Sequence, residues 1–554
     1  MLSGLLLAAA FPKIGIAGFA WIAPGLILGS ALGKRGPEAW RIGYVAGMAH
    51  YLGSLYWLLN IPVTGFPILG WIVLAAFLSL FPATWVWLCL TVSGVPPSLR
   101  FVAASRSDVP GEHWSVMLKE ISKLSWGERM AWALRSAVFW VAMEMIVARI
   151  FTGFPWNLLA DSQYKIVPLI QFASYTGVYG VSFLIVWTSV SLLCGIASIL
   201  GKPTQRSPWM TEIILPFTAI VIAFVYGFHQ LVQPTTPARE LKVALIQPGI
   251  PQTMIWNPTN DLARFQDLIH LSEASLTNKP DLIVWPEAAV PSLPRFNPDF
   301  ADPISTLAHD HKAWMITGAD DAEATPTATN FFNASFLINP DGKLANSYRK
   351  RGLVIFGEYI PLVRWLPFIK WFTPITGSYT AGDHPVQFEL TASRANAAPQ
   401  KIQTSVLICF EDVFPHLARK SVEPDTDFLV NITNDGWFGE GAAQWQQAAA
   451  ATFRTVENGV PLIRCANTGA TCWIDAHGRW VQTFTDKTGS IYGVGFMIAT
   501  IPLPDKHPQT FYNLHGDWFG WACVALAALN LCARIRPPMR KAAPLTTGAP
   551  PAIP

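Results

Sequence analysis

The chain has 554 residues, too many for one ordinary domain. Its residues are 51% apolar and only 14% charged, where soluble domains carry roughly 25% charged residues. These values exclude a disordered chain, a nucleic-acid-binding arm and a purely soluble enzyme, and a net charge of +3 is too small to imply a polyanionic partner. Seven Cys with no CxxC pair exclude zinc ribbons and thioredoxin-like motifs, and they are too sparse for a disulfide scaffold.

Apolar runs long enough to span a bilayer fall near 1–14, 16–33, 42–61, 67–93, 131–150, 176–200, 209–229 and 513–533. The run 1–14 is the weakest of them. A cleaved signal peptide is its rival reading, disfavoured because a second apolar run follows at once. No internal repeat is visible, which argues against an inverted-repeat transporter. The short loops differ in basic charge. Lys34, Arg35 and Arg41 fall in one. Arg100, Arg106, Lys119, Lys123 and Arg129 fall in a second, Lys202 and Arg206 in a third, and Arg534, Arg536, Arg540 and Lys541 follow the last run. With eight spans these loops all lie on one side, which predicts cytoplasmic termini and places the polar segment across the membrane. The predicted organisation is a transmembrane domain over 1–232, an extracytoplasmic catalytic domain over 238–508, a transmembrane helix over 513–533 and a cytoplasmic tail over 534–554. In the loop 94–130, Trp114, Met117, Leu118, Ile121 and Leu124 recur at helical spacing. They fit either a helix lying on the bilayer surface or a simple packed loop helix. Glu144 lies inside the fifth span, with Arg149 beyond the next turn as its expected partner.

The polar segment opens with a strand at Leu241–Pro248, followed by a helix around 258–277. Asp281–Glu287 and Ala313–Ala319 read as buried strands. Runs at 330–338 and 343–350 make a hairpin around Asn339-Pro-Asp-Gly342. Ser405–Glu411 and Asp427–Asn434 are further strands. Early alternation of strands and helices with later hairpins predicts an α/β domain with a mixed sheet or a sandwich of sheets. Cys465 and Cys472 are symmetric about Thr468-Gly469 and could face each other across a hairpin; two buried thiols are favoured over a disulfide.

Glu287, Cys409 and Asn434 each end an apolar strand, and Lys350 ends a hairpin strand. A carboxylate can take a thiol's proton, and a nearby ammonium favours the thiolate and can stabilise an oxyanion. The backbone N–H of Phe410 is a natural second oxyanion donor. Taken singly, each residue has a bland reading: a core Cys, a Glu helix cap, a solvated Lys in the basic run Arg349-Lys350-Arg351.

Their combination is specific. Trp285-Pro-Glu287, Tyr348-x-Lys350, Gly357-Glu358-Tyr-Ile-Pro361, Ile408-Cys409-Phe-Glu411 and Asn434-Asp-Gly-Trp-Phe-Gly439 occur in order. The set resembles the carbon–nitrogen hydrolase (nitrilase) superfamily. With the apolar runs, Thr152-Gly-Phe-Pro-Trp156 and Gln247-Pro-x-x-x-Gln252-x-x-x-Trp256, the whole chain resembles the apolipoprotein N-acyltransferases. The resemblance implies a four-layer αββα domain on the periplasmic face of a bacterial inner-membrane protein. It also implies acyl transfer from a phospholipid, phosphatidylethanolamine for preference, to the N-terminal amine of a diacylated apolipoprotein. The route would be a Cys409 thioester, with Glu287 as acid and base, Lys350 at the oxyanion, Glu358 orienting Lys350 and Glu411 shaping the pocket. No cofactor, metal or nucleic acid is expected, and a monomer is expected. The alternative is a membrane-tethered amidase cleaving a soluble C–N substrate; a third, non-enzymatic binder is disfavoured by the intact set.

The stretch 359–372 is unusually aromatic, and Trp365, Phe368, Trp371 and Phe372 are expected to dip into the interface as an arm beside the site. Trp256, and Trp437 with Phe438, are expected at the mouth. Two departures from the resembled pattern stand out. Phe410 replaces a common Tyr, and Gln447 and Thr452 replace a His and an Arg, while Arg454 and Glu457 remain.

Overall fold

The computed structural model describes residues 1–34, 36–62, 66–92, 112–201, 208–233, 237–255, 257–326, 328–361, 378–392, 400–505 and 509–535. Among these, four helices have the length and apolarity to cross a membrane: Pro67–Thr91, Trp126–Val147, Val178–Gly201 and Glu212–Val232. The C-terminal helix carries a shorter apolar stretch, Trp518–Ala533. The runs at 1–14 and 16–33 differ from expectation. They form helices Leu2–Ala9 and Ala23–Ser30, eight residues each, with a 3-10 turn at Ala17–Trp21 between them. Eight residues rise about 12 Å, well short of a ~30 Å hydrocarbon core. Pro12, Gly15 and Gly18 break the pattern that apolarity alone suggested. The next run begins earlier than expected, as helix Gly36–Ser54. Glycine lets it approach its neighbour: a Cβ on Gly43 would lie 2.8 Å from the Ala83 Cα.

One further expectation is corrected. Arg149 pairs with Asp517 on the C-terminal segment and lies over the Trp521 ring, not with Glu144. Glu144 instead accepts hydrogen bonds from Trp140 Nε1, the Leu159 N–H and the Ser182 hydroxyl, at 2.9, 2.8 and 3.2 Å. The loop helix Glu112–Lys123 turns Ile121 into the helical core, with Leu124 just past its end also buried and Leu118 packed beside them. That is the packed reading of this helix; the side chains of Trp114 and Met117 fall outside the described residues.

Among its described residues the polar segment has twelve strands: β1 (Arg239–Gln247), β2 (Leu282–Val284), β3 (Trp314–Ala324), β4 (Thr329–Ile338), β5 (Leu344–Arg349), β6 (Gln387–Ala392), β7 (Gln400–Ile408), β8 (Phe428–Thr433), β9 (Leu462–Ala466), β10 (Cys472–Ile474), β11 (Trp480–Thr483) and β12 (Gly495–Leu503). They form two six-stranded sheets, ordered β12-β1-β2-β3-β4-β5 and β11-β10-β9-β8-β7-β6. Each sheet has a parallel centre, β1-β2-β3 and β7-β8-β9, with antiparallel edges. The period-two alternation of β1 explains the layering. Leu241, Val243 and Leu245 enter the core between the sheets. Ala244 and Ile246 face the helices Asp261–Leu276 and Pro298–His311 on the outside. Helix Ala443–Asn458 covers the second sheet through Ala451. Its other face, Ala449, Phe453 and Val456, joins the core of the helical region. The result is an αββα sandwich whose one outer helix is shared with the membrane-type helices.

Cys472 pairs in register with Arg464, so Cys465 is not its cross-strand partner. The Cys465 thiol donates to the Ile246 and Val284 carbonyls at 3.3 and 3.2 Å, and both thiols are free and buried. Peptide mapping without reductant is expected to recover both as free thiols. A linked 465–472 peptide from folded protein would contradict this arrangement.

Candidate active site

Glu287 follows β2, Cys409 follows β7 and Asn434 follows β8, so three strand ends of two facing sheets converge. Lys350 follows edge strand β5, and its backbone N–H donates to the Asn333 carbonyl of β4 at 2.8 Å. The Lys350 ammonium is almost wholly buried, and lies 2.8 Å from Glu358 Oε1 and 3.3 Å from Glu287 Oε1. Asn333 Nδ2 donates to those same two oxygens, at 2.8 Å to Glu287 and 2.9 Å to Glu358. The second Glu287 oxygen accepts the Asn434 N–H at 3.0 Å, and the second Glu358 oxygen accepts the Val354 N–H at 2.8 Å. Glu287 is thus aimed by three donors from three different elements. Gly318 of β3 makes room for it: a Cβ there would lie 2.6 Å from the Pro286 carbonyl oxygen and 2.7 Å from the Glu287 Cα.

Cys409 sits at φ +52°, a left-handed conformation that non-glycine residues rarely adopt. Glu411 holds that turn. Fully buried, it accepts the Ile408 N–H at 2.8 Å, the Arg351 and Gly352 N–H groups at 2.7 and 2.9 Å, and the Tyr348 hydroxyl at 2.8 and 2.9 Å. This carboxylate ties the Lys350 turn to the Cys409 turn. The Cys409 carbonyl accepts Asn431 Nδ2 at 3.0 Å and Gln447 Nε2 at 2.9 Å. Gln447 also donates to Asp412 Oδ1 at 2.9 Å, so an amide fills the place where the resembled pattern carries a His. Thr452 caps back to the Ala448 carbonyl and receives Trp480 Nε1, both at 2.9 Å. Arg454 and Glu457 form a buried pair at 2.9 Å.

Burial pushes the Cys409 thiol pKa up, and Glu287 adds to that shift while Lys350 opposes it. Desolvation of a thiolate outweighs the pull of an ammonium already shared by two carboxylates. Burial alone would lower Lys350, but Glu358 and Glu287 outweigh it and hold the ammonium pKa well above its ordinary value. The site keeps a buried cation between two carboxylates, with Cys409 beside them.

Sequence reasoning missed Asn333, Asn431 and Asp320. Asp320 pairs in register with Asn333 across β3 and β4, and accepts the Tyr379 hydroxyl at 3.0 Å. Burial, reinforced by Glu287 and Glu358, raises its carboxyl to about 6 against the pull of Tyr379. A polar residue in the middle of a strand rich in apolar residues was the available signal for Asn333. Asn434 binds Gln252 Oε1 through Nδ2 at 2.7 Å, and its Oδ1 accepts Asn467 Nδ2 at 3.0 Å. Phe410 is buried against Phe154, Trp156 and Phe414. Trp437 is half-buried beside Phe438. Trp256 and the arm residues Trp365, Phe368, Trp371 and Phe372 lie outside the described residues. Flanking the arm, the Tyr379 N–H donates to the Glu358 carbonyl at 2.8 Å. Among the described residues, no cluster of three His, Cys, Asp or Glu side chains could hold a metal ion.

The crowding at Gly318 generates a test. Gly318→Ala must displace Glu287 by a fraction of an ångström, and misplacement of this kind costs about 10²-fold in turnover. Steady-state kinetics of the folded variant are expected to show that loss. Wild-type turnover would mean that Glu287 does not need this placement.

Comparison with known proteins fits this geometry. The carbon-nitrogen hydrolase profile matches residues 242–505, and the profile of the apolipoprotein N-acyltransferase N-terminal domain matches residues 3–191. A Geobacter metallireducens protein named apolipoprotein N-acyltransferase is 34% identical over 538 residues, covering 96% of this chain and 93% of its own. Proteins of the same name from Rickettsia prowazekii and Rhizobium rhizogenes are 28% and 29% identical, covering 85% and 84% of this chain and 85% and 83% of their own. A solved amidase of the nitrilase superfamily from Nesterenkonia aligns with 51% of this chain and 99% of its own, at 15% identity and a TM-score of 0.35. The chain is a membrane protein and an acyltransferase, and it belongs to the apolipoprotein N-acyltransferase family.

Proposed function

We propose that the chain moves a fatty acyl group from a phospholipid to the α-amine of a lipoprotein's S-diacylglyceryl-cysteine, through a thioester on Cys409. The single observation that carries this is the closed network of Glu287, Lys350, Glu358 and Asn333 beside a Cys409 whose neighbour Phe410 packs on rings from the helical region. In the first step Cys409 Sγ bonds to the carbonyl carbon of an sn-1 ester as its proton passes to Glu287. The Lys350 ammonium and the Phe410 N–H receive the oxyanion. Collapse breaks the C–O bond, Glu287 protonates the leaving alkoxide, and the lyso-phospholipid departs. In the second step the amine nitrogen attacks the thioester carbon, Glu287 takes its proton, the C–S bond breaks and the thiol is restored. Conversion of a thioester to an amide makes this step downhill.

A cavity in the helical region is lined mainly by apolar side chains, among them Leu7, Phe11, Phe81, Trp85, Phe154 and Trp156, with Glu144 and Asn157 also on its wall. Drawing an acyl chain into water costs about 0.8 kcal/mol per CH₂, so a catalytic site joined to spanning helices suits a substrate held in the bilayer. Phosphatidylethanolamine is the proposed donor and a diacylated apolipoprotein the acceptor. The proposed setting is the bacterial inner membrane, with the 238–508 region periplasmic, both termini cytoplasmic, and the protein a monomer. The amidase alternative is not favoured: a soluble substrate needs neither that cavity nor several spanning helices.

Purified full-length protein mixed with phosphatidylethanolamine and a diacylated lipopeptide is expected to yield triacylated product. With donor alone, an acyl adduct should appear on the Cys409 peptide. Cys409→Ala should abolish both, and Glu287→Gln should slow transfer by about 10²–10⁴-fold. Undiminished transfer by Cys409→Ala would defeat the proposal; ammonia release from small amides with no transfer would favour the amidase.

A further inference from the structure

Gln446 and Gln447 are consecutive on helix Ala443–Asn458, yet they point to different parts of the molecule. Gln447 holds the Cys409 carbonyl at 2.9 Å. Gln446 reaches into the helical region and uses its whole bonding capacity there. Its Oε1 accepts the Trp57 and Trp156 indole N–H groups at 3.0 and 2.8 Å. Its Nε2 donates to the Pro12 and Ser54 carbonyls at 2.7 and 3.0 Å. One amide therefore ties the catalytic region to three separate segments of the helical region, with every bond buried.

The two indoles it holds are not isolated. Phe438 meets Trp57 edge-on with centroids 4.6 Å apart, Trp57 meets Trp156 at 5.0 Å, and Trp156 stacks on Phe410 at 6.0 Å. This ring chain starts in the motif containing Asn434, crosses the helical region, and ends on the residue after the nucleophile. The indole N–H groups point away from the cleft to Gln446, which leaves the ring faces and edges as an unbroken apolar wall. A fatty thioester on Cys409 needs such a wall, because water is the competing nucleophile.

We infer that Gln446 is a positioning residue that sets the choice between transfer and hydrolysis, by locking Trp57 and Trp156 against Phe410 so that water cannot reach the acyl-enzyme. This rests on the thioester reading above. In the suppressed reaction the oxygen of water bonds to the acyl carbon, the C–S bond breaks, Glu287 passes a proton from the water to the departing sulfur, and a free fatty acid leaves in place of the amide. Loss of Gln446 strands two indole donors in an apolar cluster, so the rings must shift to find partners.

The test uses the full-length protein with phospholipid donor and lipopeptide acceptor, and reads free fatty acid against triacylated product. Adduct formation on Cys409 of the unaltered protein is checked first; its absence overturns the thioester reading and not the role of Gln446 as a tether. Gln446→Met matches the side-chain length but has no donor for the two carbonyls and only a weak sulfur acceptor for the two indoles. It is expected to acylate Cys409 within a few-fold of normal while the ratio of fatty acid to product rises about tenfold. If Gln446→Met does not fold, Trp156→Phe serves instead: it keeps an aromatic side chain, though a smaller one, drops the N–H, and should raise the same ratio. A normal ratio in whichever of these two variants folds, or a fall in acylation and transfer together with no added fatty acid, overturns the inference.

Discussion

The site depends on burying one ammonium between two carboxylates. Lys350 is 1% exposed, so its charge has lost nearly all hydration. Such a group persists only if opposite charge and hydrogen bonds replace the water, and removing one partner leaves an uncompensated charge costing about 3–5 kcal/mol. Glu287 and Glu358 supply the charge, and Asn333 ties their two inner oxygens together. The strands are arranged around this constraint. β4 brings Asn333, β5 brings Lys350 to its edge, and β2 delivers Glu287 past a glycine that cannot be larger. Because the ammonium is so stabilised, it cannot serve as the proton acceptor. In the proposed mechanism that duty falls to Glu287, and burial raises the pKa of the thiol.

A second constraint joins the two halves of the chain. Helix Ala443–Asn458 belongs to the sandwich by sequence order, but it is buried on both faces, one against the second sheet and one against the helical region. It carries Gln446, Gln447 and the buried Arg454–Glu457 pair, and Glu457 also receives the Val178 N–H at 2.8 Å at the start of a long apolar helix. The nucleophile turn rests on this helix through Gln447 and on the aromatic wall through Phe410. The helical region is therefore structural support for the Cys409 turn.

Some of this was legible in the chain. The strand positions followed from short β-branched runs bounded by turn residues, and the reactive set followed from its order along the chain. β7 was expected to end near Cys409 and does so at Ile408, and the hairpin at Asn339-Pro-Asp-Gly342 lies where turn chemistry put it. The first two apolar runs were not legible as broken helices, because hydropathy averages over the Pro and Gly that interrupt them. Nor was the partner of Arg149, since Asp517 lies 368 positions away and only packing of the C-terminal segment brings it near.

What the sequence determined by itself is the identity and order of the chemistry-bearing groups, together with the division into membrane-type helices and a strand-rich domain. Both follow from local properties: side-chain type, period and turn residues. What the tertiary structure decided is everything that needs three or more distant segments to meet. Asn333 as the shared donor, Glu411 as the tie between the Lys350 and Cys409 turns, the raised pKa of the Cys409 thiol and the two indoles held by Gln446 all belong here. Each of these depends on burial and on bonds between segments far apart in the chain, and neither quantity is written in any local stretch of residues.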